Sequence, residues 1–175
     1  MKKNKYLFVD GYNVINCWGH LNKIKDEISL DSAREELINT MSEYQSLSDE
    51  KVIIVFDAYL AKGERSNENT IKNVQIYFTK EKETADEYIE RYLDRIGKKD
   101  IVRVATSDGL VQQTILGRGG TRLSSNELLI EYRQLKNQIK RIEQTSRTYG
   151  SKNLVTINNE YKKKLDEYKK KLKDE

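Results

Sequence analysis

The sequence predicts an α/β fold: a mainly parallel central sheet flanked by helices on both faces. Three observations carry this. Apolar runs of strand length recur at 5–9, 51–56, 74–78 and 101–105. Amphipathic segments of helical length lie between or after them, at 30–47, 84–96 and 108–116, with a longer one from 124 to about 149. Two of the runs lead directly into an acid, at Asp10 and Asp57, and a third reaches one three residues on, at Asp108. Strands that alternate with helices argue for parallel pairing. A parallel sheet brings every strand C-terminus to one edge, and ligands bind at that edge in open α/β folds.

Each element has its own signal. The first strand ends in Asp10-Gly11-Tyr12-Asn13, where Gly11 permits a tight exit. The stretch that follows, containing Trp18 and His20, reads as a loop. Leu30-Asp31-Ser32 opens a helix with Leu37, Ile38, Met41 and Tyr44 at helical spacing. The polar segment 58–70 reads as an excursion over the surface. Thr84 and Glu87 are spaced as a capping box, and Gly97 stops the helix they open. Ser107 or Asp108 caps the next helix. Gly117-Arg118-Gly119-Gly120 is a turn, and Thr121-Arg122-Leu123 is a short edge strand. Ser124 and Glu127 form a second capping box. The helix they open carries the stripe Leu128, Tyr132, Leu135, Ile139, Ile142, Ser146, Tyr149, which suits packing on the sheet or a coiled-coil seam. A homo-oligomer therefore stays open. Gly150-Ser151 breaks the helix, dividing the chain into a domain over 1–150 and a basic helical extension over 151–175.

Composition narrows the chemistry. Hydrophobic residues make up 37% and charged residues 34%, so the chain is polar but has enough apolar residues for one core. No run reaches the length of a membrane span, and the basic N-terminus lacks the pattern of a signal peptide, so a cytoplasmic location is expected with no membrane partner. Cys17 and His20 are the only cysteine and histidine, too few for a disulfide, a zinc site or a Cys/His catalytic pair. Residues 131–175 carry 13 Lys/Arg against 7 Asp/Glu, and residues 1–130 carry 19 against 21. Acids gathered at a site with basic surface elsewhere suit a metal-using enzyme that grips a polyanion. Lys-rich helices also arise simply for solubility.

The acids are the candidate site. Asp10, Asp57 and Asp108 fall at strand ends, and Asp86 falls in the first turn of a helix after a strand. Carboxylates that converge repel one another unless a hard divalent cation sits among them. Mg²⁺ or Mn²⁺ held this way activates water and neutralises a phosphodiester. Asn13 is placed to fix a carboxylate or a metal-bound water. Each acid also has a plain structural role available, because acids at helix N-termini are ordinary caps.

At these residues the sequence resembles the YacP-like NYN domains of the PIN-like ribonuclease superfamily. The matching segments are Phe8-Val9-Asp10-Gly11-Tyr12-Asn13-Val14-Ile15, Val55-Phe56-Asp57-Ala58-Tyr59 with Lys62-Gly63, and Phe78-Thr79 with Glu83-Thr84-Ala85-Asp86. Ala105-Thr106-Ser107-Asp108 and Gly117-Arg118-Gly119-Gly120, leading into Arg122-Leu123-Ser124, complete the set. They occur in the family's order over residues 5 to 135. The resemblance implies a PIN-like fold and a divalent-metal-dependent endoribonuclease of single-stranded RNA. By position it implies Asp10 and Asp86 as central metal-binding acids, Asp108 completing the cluster, and Asn13 and Asp57 supporting it. It further implies association with the ribosome and cleavage of mRNA there during translation.

Electrostatics suggests the substrate side. Lys62 and Arg65 follow the second strand. Arg118 and Arg122 flank a glycine-rich turn whose amides are able to approach a phosphate. Tyr12 and Tyr59 follow strand-end acids and are candidates to stack on an unpaired base. Two other readings compete. One is a non-catalytic RNA- or ribosome-binding module on the same fold. The other is a haloacid-dehalogenase-like phosphatase, which needs a second acid two positions after its nucleophile, where this chain has Tyr12.

Overall fold

The computed structural model describes residues 3–57, 68–80, 82–96 and 99–148. Its centre is a six-stranded sheet built from β1 (Lys5–Asp10), β2 (Lys51–Phe56), β3 (Glu68–Ile71), β4 (Val74–Phe78), β5 (Ile101–Ala105) and β6 (Thr121–Leu123). The strand order is β3-β4-β2-β1-β5-β6. All neighbours pair in parallel except β3, which runs antiparallel to β4 at one edge. The mainly parallel sheet expected from the sequence is therefore present.

Side-chain alternation along the strands divides the core in two. Leu7 and Val9 face one layer, made by α1 (Gly11–Cys17), α2 (Gly19–Glu27), α3 (Leu30–Leu47) and α6 (Ser125–Thr148); Trp18, Leu37, Met41 and Leu128 fill it. Phe8, Ile53 and Val55 face the other, made by α4 (Ala85–Ile96) and α5 (Gly109–Gly117); Ile89, Leu93, Val111 and Ile115 fill it. Among the described residues no helix is long and apolar enough to cross a membrane.

Two sequence readings are corrected. The stretch after β1 is helical, as α1 and α2, with Val14, Ile15, Trp18 and Leu21 all fully buried. Trp18 separates the helices in an extended conformation and donates from its indole nitrogen to the Ser125 carbonyl, 2.7 Å away. The end of the polar excursion is strand β3, joined to β4 through Lys72 and Asn73, both at positive φ (47° and 66°). Two consecutive residues at positive φ are what a tight two-residue hairpin requires. The turn is tied to α3 by Ser42 Oγ donating to Lys72 O at 2.7 Å and Gln45 Nε2 donating to Asn73 O at 2.6 Å.

Both capping boxes form. Glu87 N donates to Thr84 Oγ1 at 3.2 Å, and Thr84 N donates to Glu87 Oε2 at 3.0 Å. Glu127 N donates to Ser124 Oγ at 3.2 Å, and Ser124 N donates to Glu127 Oε2 at 2.7 Å. The first half of the α6 stripe packs within the chain: Leu128 is fully buried, and Tyr132 and Leu135 lie against the same core. Side chains from residue 143 onward, and the extension 151–175, lie outside the described residues.

Candidate active site

β1 is the middle of the parallel sheet, with β2 on one side and β5 on the other. The chain runs outward from β1 to β2 and β4, then crosses back to β5. This reversal creates a crevice at the C-terminal ends of β1 and β5, the place where α/β sheets bind ligands. Asp10 ends β1, Asp57 follows β2, Asp108 lies three residues beyond β5, and Asp86 is the second residue of α4.

Asp10 is held from two sides. Its Oδ1 accepts from the Asn13 amide at 3.2 Å, capping α1, and its Oδ2 accepts from Thr106 Oγ1 at 3.4 Å. These bonds favour the charged form, yet burial outweighs them. Together with the charges of Asp86 and Asp57, burial pushes the Asp10 carboxyl up to about 7. Asp86 is pushed up to about 6, first by burial and then by the charges of Asp108, Asp57, Glu90 and Glu87. A helix N-terminus normally stabilises a carboxylate. At Asp86 desolvation and like charge win over it. Its Oδ1 is buried without a hydrogen-bond partner.

Asp57 and Asp108 have more conventional surroundings. Asp57 Oδ1 accepts from the Ala85 amide at 2.6 Å, so the end of β2 fixes the start of α4 and the neighbouring Asp86. Burial, and next the charge of Glu87, raise its carboxyl above the ordinary value. Asp108 caps α5, accepting from the Val111 amide at 3.4 Å. Among the described residues no group of three or more His, Cys, Asp or Glu side chains forms a ready-made metal cage. The acids act on one another through their charge without closing into a cage. That arrangement fits Mg²⁺, which keeps several waters and takes only one or two carboxylates plus substrate phosphates. The unpartnered buried oxygen of Asp86 and the all-oxygen donor set fit such a hard cation as well.

Gly11 has a steric role in place of the conformational one expected of it. It opens α1 without a positive φ, and a Cβ there would lie 2.3 Å from Phe56 Cε1 in the buried core. Asn13 acts as a brace. Its Oδ1 accepts from the Ser107 amide at 2.9 Å and from Ser125 Oγ at 2.8 Å, tying α1 to the loop after β5 and to α6.

The substrate-side candidates divide. Tyr12 is 6% exposed and its ring packs on Phe56 with centroids 5.1 Å apart, so it is a core residue and has no face for a base. The glycine-rich turn does not present its amides. Arg118 N, Gly119 N and Gly120 N donate to carbonyls of the last turns of α5, from Thr114, Ile115 and Leu116. The Arg118 guanidinium pairs with Asp94 and Glu90 of α4, so its charge is spent within the fold. Arg122 is exposed on β6, donates to Gln112 Oε1 at 3.2 Å and stands 3.9 Å from Glu127. Tyr59, Lys62 and Arg65 lie outside the described residues.

Sequence reasoning gave no role to Thr106 or Ser125, the two buried hydroxyls that orient Asp10 and Asn13. It also missed Glu90, which lies one turn beyond Asp86 and adds to the negative field. The i, i+4 spacing of Asp86 and Glu90 was the available signal. Ser125 had none, because it sits inside a segment that reads fully as a capping box.

Comparison with known proteins agrees with this architecture. The YacP-like NYN domain model matches residues 7–170, a span that runs beyond residue 150. The chain is 43% identical over 136 residues to the uncharacterized protein YacP of Bacillus subtilis (strain 168), covering 77% of this chain and 79% of that protein. A crystal structure of a mutant of Rae1 (YacP) from Bacillus subtilis superposes with a TM-score of 0.73 at 36% identity, over 91% of each chain. A second crystal structure of Rae1 (YacP) superposes with a TM-score of 0.67 at 35% identity, over 95% of each chain. With the family's pattern running through most of its length and the fold to match, the chain belongs to the YacP-like NYN domain family, a family of PIN-like nucleases.

Proposed function

We propose that the protein is a divalent-metal-dependent endoribonuclease that cuts single-stranded RNA, acting on mRNA at the ribosome during translation in the cytoplasm. The observation that carries this reading is the electrostatic strain between Asp10 and Asp86. Burial, and after it the charges of neighbouring carboxylates, push both half-buried acids at the sheet's ligand-binding edge toward the neutral form, and one keeps a buried oxygen with no partner. Structural acids are normally paired, so strain of this kind points to a function. The ribosome and mRNA enter through the family resemblance alone.

Mg²⁺ or Mn²⁺, when bound, supplies positive charge for the scissile phosphate and lowers the pKa of water. Asp10 and Asp86 are the residues that would hold it, with Asp108 adding charge from the loop after β5. Asp57 acts through the Ala85 amide, setting the position of Asp86. The Asn13 amide and the Thr106 hydroxyl aim the two oxygens of Asp10. Arg122, exposed on β6, is the described candidate to meet the RNA backbone.

The test compares wild type with Asp10→Asn and Asp86→Asn, on purified RNA with Mg²⁺ or Mn²⁺ and on mRNA in a translating extract. Each replacement is expected to lower cleavage by at least about 100-fold, the scale on which positioned acid–base groups act, while circular dichroism stays unchanged. Cleavage by both variants at the wild-type rate overturns the metal-site reading. Wild-type protein that binds RNA or ribosomes without cutting in either assay assigns it instead as a binding module.

A further inference from the structure

A second feature lies on the α4 face of the sheet, away from the carboxylates. Between α4 and strands β1, β2 and β4 runs a groove with a volume of about 490 Å³. Its lining includes Tyr6, Tyr77, Tyr88 and Tyr92 together with Lys51, Arg91 and Arg95 and, among the described residues, no acidic one. In a doubly wound sheet a crossover between β2 and β4 belongs on the opposite face, with α3, and leaves this face to α4. Among the described residues the connection contributes strand β3 at the edge, and the face beside α4 stays open.

The aromatic and cationic groups are arranged in alternation. Tyr77 and Tyr88 stack with centroids 3.8 Å apart. The Arg91 guanidinium sits 5.4 Å over the Tyr88 ring, Arg95 sits 5.2 Å over Tyr92, and Lys51 sits 5.8 Å over Tyr6. Tyr92 in turn packs against Phe8 at 4.6 Å and Tyr6 at 6.1 Å. Arg91 also forms an ion pair with Glu83, which lies outside the lining. Stacking on tyrosine holds each guanidinium flat and limits its rotamers, so its outer face is presented to a ligand, although Arg91 also keeps one nitrogen on Glu83.

Strand register gives the groove its direction. Tyr77 is level with Val55, which is level with Asp10, and Lys51 is level with Tyr6. The groove thus starts at the depth of the acid cluster, with Tyr88 two residues beyond Asp86. It descends four residues of strand, about 13 Å at the rise of a parallel strand.

We propose that this groove binds single-stranded RNA, holding the part of the strand that continues past the carboxylate site. Phosphates meet Arg91, Arg95 and Lys51, and unpaired bases stack on the exposed guanidinium planes. The proposal rests on the ribonuclease reading for its substrate, but not on cleavage. An alternating row of rings and cations with no acid among them matches a flexible polyanion that also has flat faces. It does not match a duplex, whose bases are already stacked.

The experiment measures binding of a fluorescent single-stranded RNA by anisotropy, in EDTA to prevent cleavage, across a salt series. Arg91→Gln/Arg95→Gln is expected to weaken binding at least about tenfold and to reduce the slope of log K against log salt by about 1.4, two single-strand phosphate contacts. Lys51→Gln, on a different element, is expected to reduce the slope by about 0.7 and serves if the double variant loses its thermal transition. Unchanged affinity and slope overturn the proposal. Equal loss with a duplex of the same sequence overturns the single-strand assignment. If the groove variants bind normally while cleavage still needs Asp10, the groove falls and the nuclease reading stands. If binding is lost but no protein cleaves, the groove stands and the nuclease reading falls.

Discussion

The two edges of the sheet treat buried acids in opposite ways. At the N-terminal edge, Glu50 is 7% exposed and paired with a cation. Its Oε2 accepts from Arg103 at 3.0 Å and from the Tyr44 hydroxyl at 2.7 Å. Glu131 takes two bonds from Arg103, at 3.0 and 2.6 Å, and its Oε1 lies 2.7 Å from the same tyrosine hydroxyl. The Arg103 bonds hold the Glu131 carboxyl below its ordinary value. At the C-terminal edge, Asp10 and Asp86 have no cation among the described groups that shift them and are pushed up, toward the neutral form. Burial alone therefore does not mark a functional acid; burial without a compensating charge does. The first cluster joins α3, β2, β5 and α6, and the second joins nothing that needs four carboxylates.

The contrast breaks most visibly at Arg103. Replacing it by Met keeps most of the volume but leaves Glu50 and Glu131 facing each other without a cation. Removing one partner of a buried pair costs about 3–5 kcal/mol. Partial exposure of Arg103 and Glu131 places the expected loss near about 3 kcal/mol, read from urea unfolding. If Arg103→Met is no less stable than Asp10→Asn, the two edges do not differ in the way described.

Asp10→Asn should act in the reverse direction. In metal-free protein the folded chain holds the Asp10 proton up to about 7, whereas the unfolded chain releases it near 3.8. The unfolded state thus binds fewer protons between these values, so stability falls as pH rises through that window and levels off above it. The full penalty is on the order of 4 kcal/mol above pH 7. Asp10→Asn is expected to flatten this fall and to be more stable than wild type at pH 8 in EDTA. Mg²⁺ should restore the wild type at pH 8, by about 2.7 kcal/mol at 100 times its Kd, and should do little for Asp10→Asn. A wild type equally stable at pH 5 and pH 8 without metal would remove the strain on which the site reading depends.

The sequence made much of this legible where local rules coincide with the fold. Apolar runs located the strands, and the two capping boxes located α4 and α6. Acids at strand ends marked the site, because parallel topology alone carries them to one edge. Residues 11–29 failed because Trp18 and the asparagines hide a helical spacing that only packing against Ser125 completes. Tyr12 and Arg118 failed for a related reason. Whether an aromatic or a cation faces solvent depends on partners distant in sequence, Phe56 for one and Asp94 for the other. The groove beside α4 was invisible for the same cause, since Lys51, Tyr77 and Arg95 meet only when three separate elements pack.

The smallest effects separate the edges most sharply, because they match in chemistry. Tyr44→Phe removes a hydroxyl from between two carboxylates at the N-terminal edge. Ser125→Ala removes a hydroxyl that donates to Asn13 Oδ1 at 2.8 Å at the C-terminal edge. Each is expected to cost about 1–2 kcal/mol, as for a buried hydrogen bond to a polar or charged group. Their functional outcomes should diverge. Asn13 carries the amide that aims Asp10, so loosening its brace should slow RNA cleavage several-fold and raise the Mg²⁺ concentration needed for half-maximal rate. Tyr44→Phe should leave both unchanged at a temperature where both variants remain folded. Cleavage slowed equally by the two would mean that stability, and not the aim of Asp10, sets the rate.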